Sequence, residues 1–396
     1  MKSAWNHLTA AILEDTSTSG QKLAALDGVR GLAVLTVFVS HSSAFNQRLT
    51  PWTNFHGTGQ IGVYLFFVLS GFLLAHALLA RTPINFGGFW LRRFFRIAPL
   101  YYLVVSIVFA CQLAAGKVYG DAGIRNLFIA GGWPGFFKHL IFLKGNSVFW
   151  TIAAEFEFYF ILPFLVVLLL RFGWSAAWAF MLLAFAYCGW AVAIHAGFIG
   201  PQYALKVAQI SHPTQFFDVF LFGIVAAWLW REPAFLRWWR ARAQTMQNLA
   251  IAASLVLLVS SLACVADQFF FVGGWWTMLR EWSVIYALGF SLMILATLDG
   301  NPLFGCIFNW RWLRLIGVTG FSWYLLHFPV LNFMSRAYGP ETNAWSFVEI
   351  ARWLTSFVIT AALSIGTYLL VEKPFMLMSR SFLKRRVSTE AETVPV

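Results

Sequence analysis

Charged residues and cysteines are scarce in this sequence. Only 11% of the 396 residues are charged, whereas 60% are hydrophobic, a balance that excludes an ordinary soluble domain. The four cysteines lie mostly within apolar runs and without paired spacing, so they indicate neither a disulfide framework nor a metal site. Residues 1–25 are mixed and polar, and no small-residue cleavage pattern follows the first apolar run. We therefore expect no cleavable signal peptide and no metal cofactor.

Long apolar runs are what the chain has in abundance. A helix needs about 20 predominantly apolar residues to cross the hydrocarbon core of a bilayer. Ten runs of this kind predict an all-α, polytopic integral membrane protein with ten transmembrane helices. The runs cover 28–46, 58–80, 97–116, 149–170, 174–196, 213–231, 247–266, 282–299, 315–335 and 350–371. We expect one membrane domain over 26–375, between a cytosolic segment at 1–25 and a cytosolic tail at 376–396.

The net charge of +12 is distributed according to membrane topology. Of the 28 lysines and arginines, 18 fall in the two tails and the even-numbered connections, nine fall on the opposite side, and Arg30 lies at the boundary. Positive residues accumulate on the cytosolic side of membrane proteins. The distribution therefore predicts that both termini are cytosolic, and it explains the positive charge without nucleic-acid binding.

Arg30 and His41 interrupt the first apolar run. An ionisable side chain at the bilayer centre costs roughly 2.5–3.5 kcal/mol on insertion scales, so such residues usually line a polar interior. The spacing of about 11 residues brings both onto one helix face, about 16 Å apart along the axis. One interpretation is structural, with Arg30 at the cytosolic interface and His41 in an interhelical hydrogen bond. The other is a cavity with an anion-binding guanidinium at its mouth and a histidine base deeper inside.

A second basic group lies in "FWLRRFFRIAPLYY", directly after the second run. Arg93 and Arg96 are three residues apart and so face the same way on a helix that Pro99 would interrupt or kink. Membrane topology alone would explain these arginines. The sharper hypothesis is a cytosolic clamp for the phosphates of a nucleotide-like donor, because paired guanidiniums make charge-assisted bonds to phosphate.

Two acids open the fourth run, "NSVFWTIAAEFEFYFILPF". Glu155 and Glu157 lie about 200° apart around a helix, so they cannot both face one cavity, whereas Tyr159 shares the face of Glu155. We place Glu155 and Tyr159 on the polar interior. Glu155 is a candidate catalytic residue and Tyr159 a candidate substrate contact, with structural pairing to another helix as the alternative.

Two further polar residues lie within apolar runs. Ser70, beside Gly71 in the second run, is a candidate substrate contact, although close helix packing is the simpler explanation. His327, in "GFSWYLLHFPVL", is also a candidate substrate contact, with a helix-to-helix hydrogen bond as the alternative.

Six motifs together resemble the acyltransferase 3 family, the integral membrane acyltransferases that modify bacterial surface carbohydrates. In chain order they are "LDGVRGLAVLTVFVSH", "GVYLFFVLSGFLLA", "LRRFFRIAPLYY", "FWTIAAEFEFYFILP", "GFSWYLLHFPV" and "VEKPF". The resemblance covers residues from about 26 to 375. Its most specific element is a basic residue followed by ten positions and a histidine, here Arg30 to His41.

The resemblance implies transfer of an acyl group, typically acetyl, from coenzyme A to a hydroxyl of an extracytoplasmic or lipid-linked carbohydrate. It implies His41 as the catalytic residue, Arg30 as its partner, and Arg93 with Arg96 as contacts of the acyl-CoA donor. The expected location is the bacterial cytoplasmic membrane, with the lipid bilayer, the donor and the carbohydrate as partners. We expect no fused esterase-like module after the tail and expect any such periplasmic partner to be a separate chain.

Two positions depart from the family pattern, and three mechanistic alternatives stay open. Tyr64 stands where many members have an acid, and Glu157 where many have an amide, which leaves the acceptor less certain than the reaction. His41 either activates the acceptor hydroxyl or carries the acyl group itself. The chief alternative function is transport of a lipid-linked saccharide, although the sequence shows no related halves. A further alternative is a different class of membrane acyltransferase that uses an Asn and His pair, but the sequence contains no convincing set of residues for it.

Overall fold

The computed structural model describes residues 12–13, 21–47, 54–80, 83–119, 128–195, 216–270, 282–337 and 347–392. The described residues form helices and contain no strand. This confirms the all-α fold expected from the apolar runs.

Fifteen α-helices are named here in chain order. They are α1 (Gln21–Ala44), α2 (Gly59–Leu79), α3 (Phe86–Tyr119), α4 (Gly132–Leu140), α5 (Trp150–Phe172), α6 (Trp174–His195), α7 (Phe217–Leu229), α8 (Pro233–Ala241), α9 (Ala243–Phe270), α10 (Ser283–Asp299), α11 (Pro302–Phe308), α12 (Arg311–Val318), α13 (Gly320–Ala337), α14 (Phe347–Thr367) and α15 (Lys373–Glu392). A 3₁₀ turn (Ser147–Phe149) precedes α5, and a π-helical turn (Tyr368–Glu372) joins α14 to α15.

The helices make this a multi-pass membrane protein. Among the described residues, six helical segments are long and apolar enough to cross a membrane, or up to eight if two bent pairs each count as one span. The bent pairs are α7 with α8, at 86°, and α10 with α11, at 95°. Each of the ten apolar runs overlaps a helix, but the number ten is not confirmed, because several of these helices are too short or too polar to count alone. The cytosolic location of the termini stays a prediction.

Helices continue through both of the expected domain boundaries. Helix α1 begins at Gln21 and so crosses the boundary at 25. The segment Phe347–Leu383 is a single candidate span that crosses the boundary at 375. Ser379, beyond that boundary, is buried. The start of the tail is therefore packed with the membrane helices, and the proposed division of the chain stays a prediction.

The outer surface of the helix bundle is apolar and parts of its interior are polar. Helices α5, α6 and α9 expose large side chains such as Phe164, Leu182 and Val256. Helix α14 has the reverse pattern, since its buried residues are all polar: Glu349, Arg352, Ser356, Thr360 and Ser364. A bilayer accepts this arrangement, because lipid solvates the exposed apolar side chains and the polar ones pair inside the protein.

Close packing against α7 fixes the position of α2. A Cβ atom added to Gly71 would lie 2.5 Å from the carbonyl oxygen of Phe220, and one added to Gly223 would lie 2.1 Å from that of Val68. Only glycine permits backbones to approach this closely. The face of α2 opposite α7 is thereby directed toward the cavities described next.

Candidate active site

A cavity of about 710 Å³ surrounds His41 in the last turn of α1 and is named here the His41 cavity. His56 and Gln60 line it beside aromatic rings that include Trp150 and Phe328. The ring of Phe328 meets the edge of the His41 ring, with 5.3 Å between the ring centroids. The cavity therefore presents the imidazoles of His41 and His56 among apolar surfaces and a few other polar groups, as ligand sites commonly do.

A second histidine lies behind His41. The Nε2 atom of His327 is 2.8 Å from the Nδ1 atom of His41, and the two rings are nearly parallel. His327 is only 1% exposed. The expected helix-to-helix hydrogen bond is therefore present between α1 and α13, whereas the expected direct contact of His327 with substrate does not fit its burial.

Glu155 is the centre of a polar group in a smaller cavity of about 210 Å³, named here the Glu155 cavity. Tyr159 donates a hydrogen bond of 2.5 Å to Glu155 Oε1, and Ser70 donates one of 2.9 Å to the same atom. Arg93 and Arg96 also line this cavity. Glu155 and Tyr159 thus share an interior face, as their helical spacing predicts. Gly71, and not Ser70, makes the close helix contact with Phe220, and the Ser70 hydroxyl bonds the Glu155 carboxylate.

Arg30 lines the Glu155 cavity and contacts an acid other than Glu155. Its Nη1 atom lies 3.1 Å from Asp27 Oδ1, one turn earlier on α1. Arg30 is the tenth residue of α1, whereas His41 is in the last turn. Arg30 and His41 therefore lie about three turns apart along α1, and which of them is nearer the cytosol stays a prediction. The two side chains line separate cavities, so Arg30 and His41 do not pair directly.

The two clamp arginines connect the Glu155 cavity to a larger one of about 650 Å³. This larger space lies between α3 and α15, and Arg92 and Arg380 also line it. It is named here the Arg380 cavity. Helix α3 continues through Pro99, so the proline does not separate Arg93 and Arg96 from the rest of the helix. Four guanidinium groups surround one space, which suits a ligand with several negative charges.

One stripe of α2 lines all three cavities. Gln60 and Val63 face the His41 cavity, Val63 and Ser70 the Glu155 cavity, and Ala77 both the Glu155 and Arg380 cavities. From Gln60 to Ala77 the stripe extends about 25 Å along the helix axis. Val63 and Tyr324 are the residues that line both the His41 and the Glu155 cavities, so they form the wall between the two.

Sequence reasoning missed three charged residues near this path. Asp27, Glu372 and Arg380 line a cavity of about 240 Å³ that also contacts Arg30 and Arg96. Glu372 is 1% exposed and accepts a hydrogen bond of 3.0 Å from Ser322. The sequence contained a signal for Glu372, because an acid directly at the end of an apolar run, within the motif "VEKPF", is usually functional or paired. Within the described ranges, no group of three or more His, Cys, Asp or Glu residues could hold a metal ion.

The fold and the site define a polytopic α-helical membrane protein with a connected polar interior that contains a histidine and clustered arginines. The family model described as an acyltransferase domain, that of acyltransferase 3, matches residues 23–370. The chain therefore belongs to this family of acyltransferases, as the six motifs indicate.

Named relatives support the family membership. The chain is 27% identical to YrhL of Bacillus subtilis over 91% of its own length and 56% of that protein. It is 24% identical to the O-acetyltransferase OatA of Staphylococcus aureus, over 96% of this chain and 62% of OatA. With the peptidoglycan O-acetyltransferase OatA of Listeria monocytogenes it shares 23% identity, over 80% of this chain and 50% of that protein. The chain thus spans little more than half of these relatives. No solved structure matches it.

Proposed function

We propose that this protein is a membrane O-acetyltransferase that moves an acetyl group from acetyl-CoA to a hydroxyl of a cell-envelope carbohydrate. The observation that carries the proposal is the series of adjoining cavities from Arg93 and Arg96, past Glu155, to His41. We expect this in the cytoplasmic membrane of a bacterium. Family membership favours such an enzyme over the alternative of a saccharide exporter.

The donor would enter through the Arg380 cavity. Coenzyme A carries a diphosphate and a further phosphate, and Arg92, Arg93, Arg96 and Arg380 line this cavity. Guanidinium groups form bidentate, charge-assisted hydrogen bonds with phosphate. The excess of basic residues predicts that this end of the molecule faces the cytosol, where acetyl-CoA is made.

The flexible arm of the donor would occupy the Glu155 cavity. Arg30 and His41 lie about 16 Å apart along the axis of α1, so the thioester must be carried over a comparable distance. Ser70, Glu155 and Tyr159 supply polar groups along this part of the path. We expect these residues, with Arg30, to orient the arm and neutralise each other's charge in the absence of water.

His41 would perform the transfer at the wall formed by Val63 and Tyr324. In direct transfer its Nε2 atom accepts the proton of the acceptor hydroxyl, whose oxygen attacks the thioester carbonyl carbon. The carbon to sulfur bond then breaks and coenzyme A leaves as a thiolate that collects the proton. In the alternative, Nε2 attacks the thioester carbonyl carbon and the carbon to sulfur bond breaks, so that coenzyme A leaves as a thiolate. The acceptor hydroxyl then attacks the acetyl group, the bond from carbon to Nε2 breaks, and the hydroxyl proton passes to the thiolate.

The acceptor would bind in the His41 cavity. Trp150 and Phe328 offer apolar faces there, and Gln60 and His56 offer polar groups for sugar hydroxyls. The names of all three relatives specify O-acetyltransferase, and those of the Bacillus and Listeria proteins also specify peptidoglycan. A peptidoglycan glycan is therefore the first acceptor to test. The departures at Tyr64 and Glu157 make a different carbohydrate the second.

Release of free coenzyme A by the purified, detergent-solubilised protein tests the proposal. With acetyl-CoA and soluble glycan fragments, we expect thiol release that depends on the glycan and an acetyl ester on the product by mass spectrometry. A His41→Ala variant that folds normally should release no thiol above background. Activity of that variant equal to the unmodified protein would overturn the proposal. Thiol release without acceptor, with a trapped acetyl adduct, would favour the acyl-histidine route.

A further inference from the structure

We propose that His327 positions the catalytic imidazole by fixing the proton of His41 on Nδ1, which leaves the Nε2 lone pair for the reaction. The inference rests on the proposed role of His41. It assigns to His327 a positioning function in place of substrate binding.

The hydrogen bonds that join the backbone carbonyls, His327 and His41 are named here the relay. The partner of each nitrogen determines whether that nitrogen donates or accepts. The Nδ1 atom of His327 lies 2.7 Å from the carbonyl oxygen of Tyr324 and 3.2 Å from that of Trp323. A carbonyl oxygen only accepts, so Nδ1 of His327 carries the proton and its Nε2 is an acceptor. That acceptor lies 2.8 Å from Nδ1 of His41, which must therefore be the donor. The neutral His41 ring then has its lone pair on Nε2.

The surroundings hold this arrangement in place. His327 is 1% exposed, and the rings of Phe38 and Tyr324 pack around it. Among the described residues, His41 is the side chain that hydrogen-bonds to His327. His41 itself lines a cavity, so its other nitrogen is the one available to a ligand. The two histidines thus differ in role although both lie within apolar helices.

The relay also affects the transition state. When Nε2 takes a proton, His41 becomes a cation and its Nδ1–H becomes a stronger donor to His327. The Tyr324 carbonyl dipole at the far end of the relay stabilises the positive charge further. Among the described residues that line the His41 cavity, the other titratable side chains are His56 and Tyr324. A carboxylate would serve the same purpose in water, but a neutral imidazole avoids burying a full negative charge.

Three variants test the positioning role. His327→Gln keeps one acceptor for His41 and one donor for the backbone, whereas His327→Leu fills the space without either. His76→Gln is the matched control, because His76 lies on α2, stacked on Phe72 and away from His41. The measurements are kcat and KM for acetyl-CoA and for the glycan, the pH profile of kcat/KM from pH 5 to 9, and the melting temperature.

We expect His327→Leu to lower kcat about 100-fold, the lower end of what a general base contributes, with each KM changed less than about 3-fold. The acidic limb of its pH profile should move, and His327→Gln should recover most of kcat. If His327→Leu keeps the kcat and the pH profile of the unmodified protein while His41→Ala is inactive, the positioning role of His327 is refuted and the proposed function stands. Full activity of His41→Ala would instead overturn the proposed function. If kcat falls equally in His327→Leu, His327→Gln and His76→Gln, in step with the fall in melting temperature, His327 is only a packing residue.

Discussion

Glu155 and Tyr159 form a hydrogen bond of 2.5 Å within the Glu155 cavity, one turn apart on α5. The same carboxylate oxygen accepts a bond from Ser70 of α2. Glu155 therefore joins two helices and brings a negative charge among Arg30, Arg93 and Arg96, which line the same space. This single side chain organises the middle of the proposed donor path.

Glu155→Gln should impair both activity and stability. The amide keeps one acceptor oxygen but loses the charge, and a hydrogen bond to a charged group is worth about 1.5–3 kcal/mol. We expect at least a 10-fold fall in kcat/KM for acetyl-CoA and a lower melting temperature. The matched control is Glu157→Gln, because Glu157 lies on another face of α5 and does not line the Glu155 cavity. Indistinguishable kinetics for the two variants would contradict the role of Glu155.

Arg93→Ala and Arg96→Ala should each weaken donor binding. Loss of a charge-assisted bond to phosphate corresponds to a rise in KM for acetyl-CoA of about 10- to 100-fold, with KM for the glycan unchanged. The difference in KM for acetyl-CoA between variant and unmodified protein should be smaller at high salt. Salt screens the attraction between arginine and phosphate that only the unmodified protein has in full. Arg171→Ala is the control, because Arg171 lies at the end of α5 over the ring of Phe172. A similar rise in KM in Arg171→Ala would point to net charge rather than a clamp.

Val63→Ala should widen the range of acyl donors. Val63 lines both the His41 and the Glu155 cavities, so a smaller side chain enlarges the space where the acyl group meets His41. We expect the ratio of kcat/KM for butyryl-CoA to that for acetyl-CoA to rise about 10-fold, the scale on which one or two methylenes are discriminated. Val68→Ala supplies the comparison, because Val68 is buried on the same helix and outside these cavities. An unchanged ratio in Val63→Ala would remove Val63 from the wall.

Gly223→Ala should destabilise the helix bundle. The added Cβ would lie 2.1 Å from the carbonyl oxygen of Val68, so α7 and α2 must separate. Overpacking of this kind costs about 1–3 kcal/mol, which should appear as a lower melting temperature in detergent. In Gly366→Ala the new methyl group meets nothing within 4 Å, and alanine is the better helix former. The control should therefore melt no lower than the unmodified protein, and equal losses in both would refute the packing argument.

Much of the fold could be read from periodicity and hydrophobic length. Each apolar run overlaps a helix, because about 20 apolar residues without charges form a helix in a bilayer whatever they contact. The shared face of Glu155 and Tyr159 follows from helical spacing alone. The motifs predicted a family resemblance over about 26–375, and the family model matches 23–370. Composition after 375 did not indicate that Ser379 is buried or that Arg380 lines a cavity beside α3.

What the sequence by itself determined is the all-α membrane fold, the shared interior face of Glu155 and Tyr159 and the acyltransferase class, because these depend on local spacing, residue type and motifs. Only the tertiary structure decided which partners meet. It placed His327 behind His41 and aligned the arginine-lined cavities with the His41 cavity along α2, whereas the pair of Arg30 with Asp27 is a local contact within α1. The reason is physical: a hydrogen bond between residues 286 positions apart depends on how helices pack, and no local pattern encodes that distance.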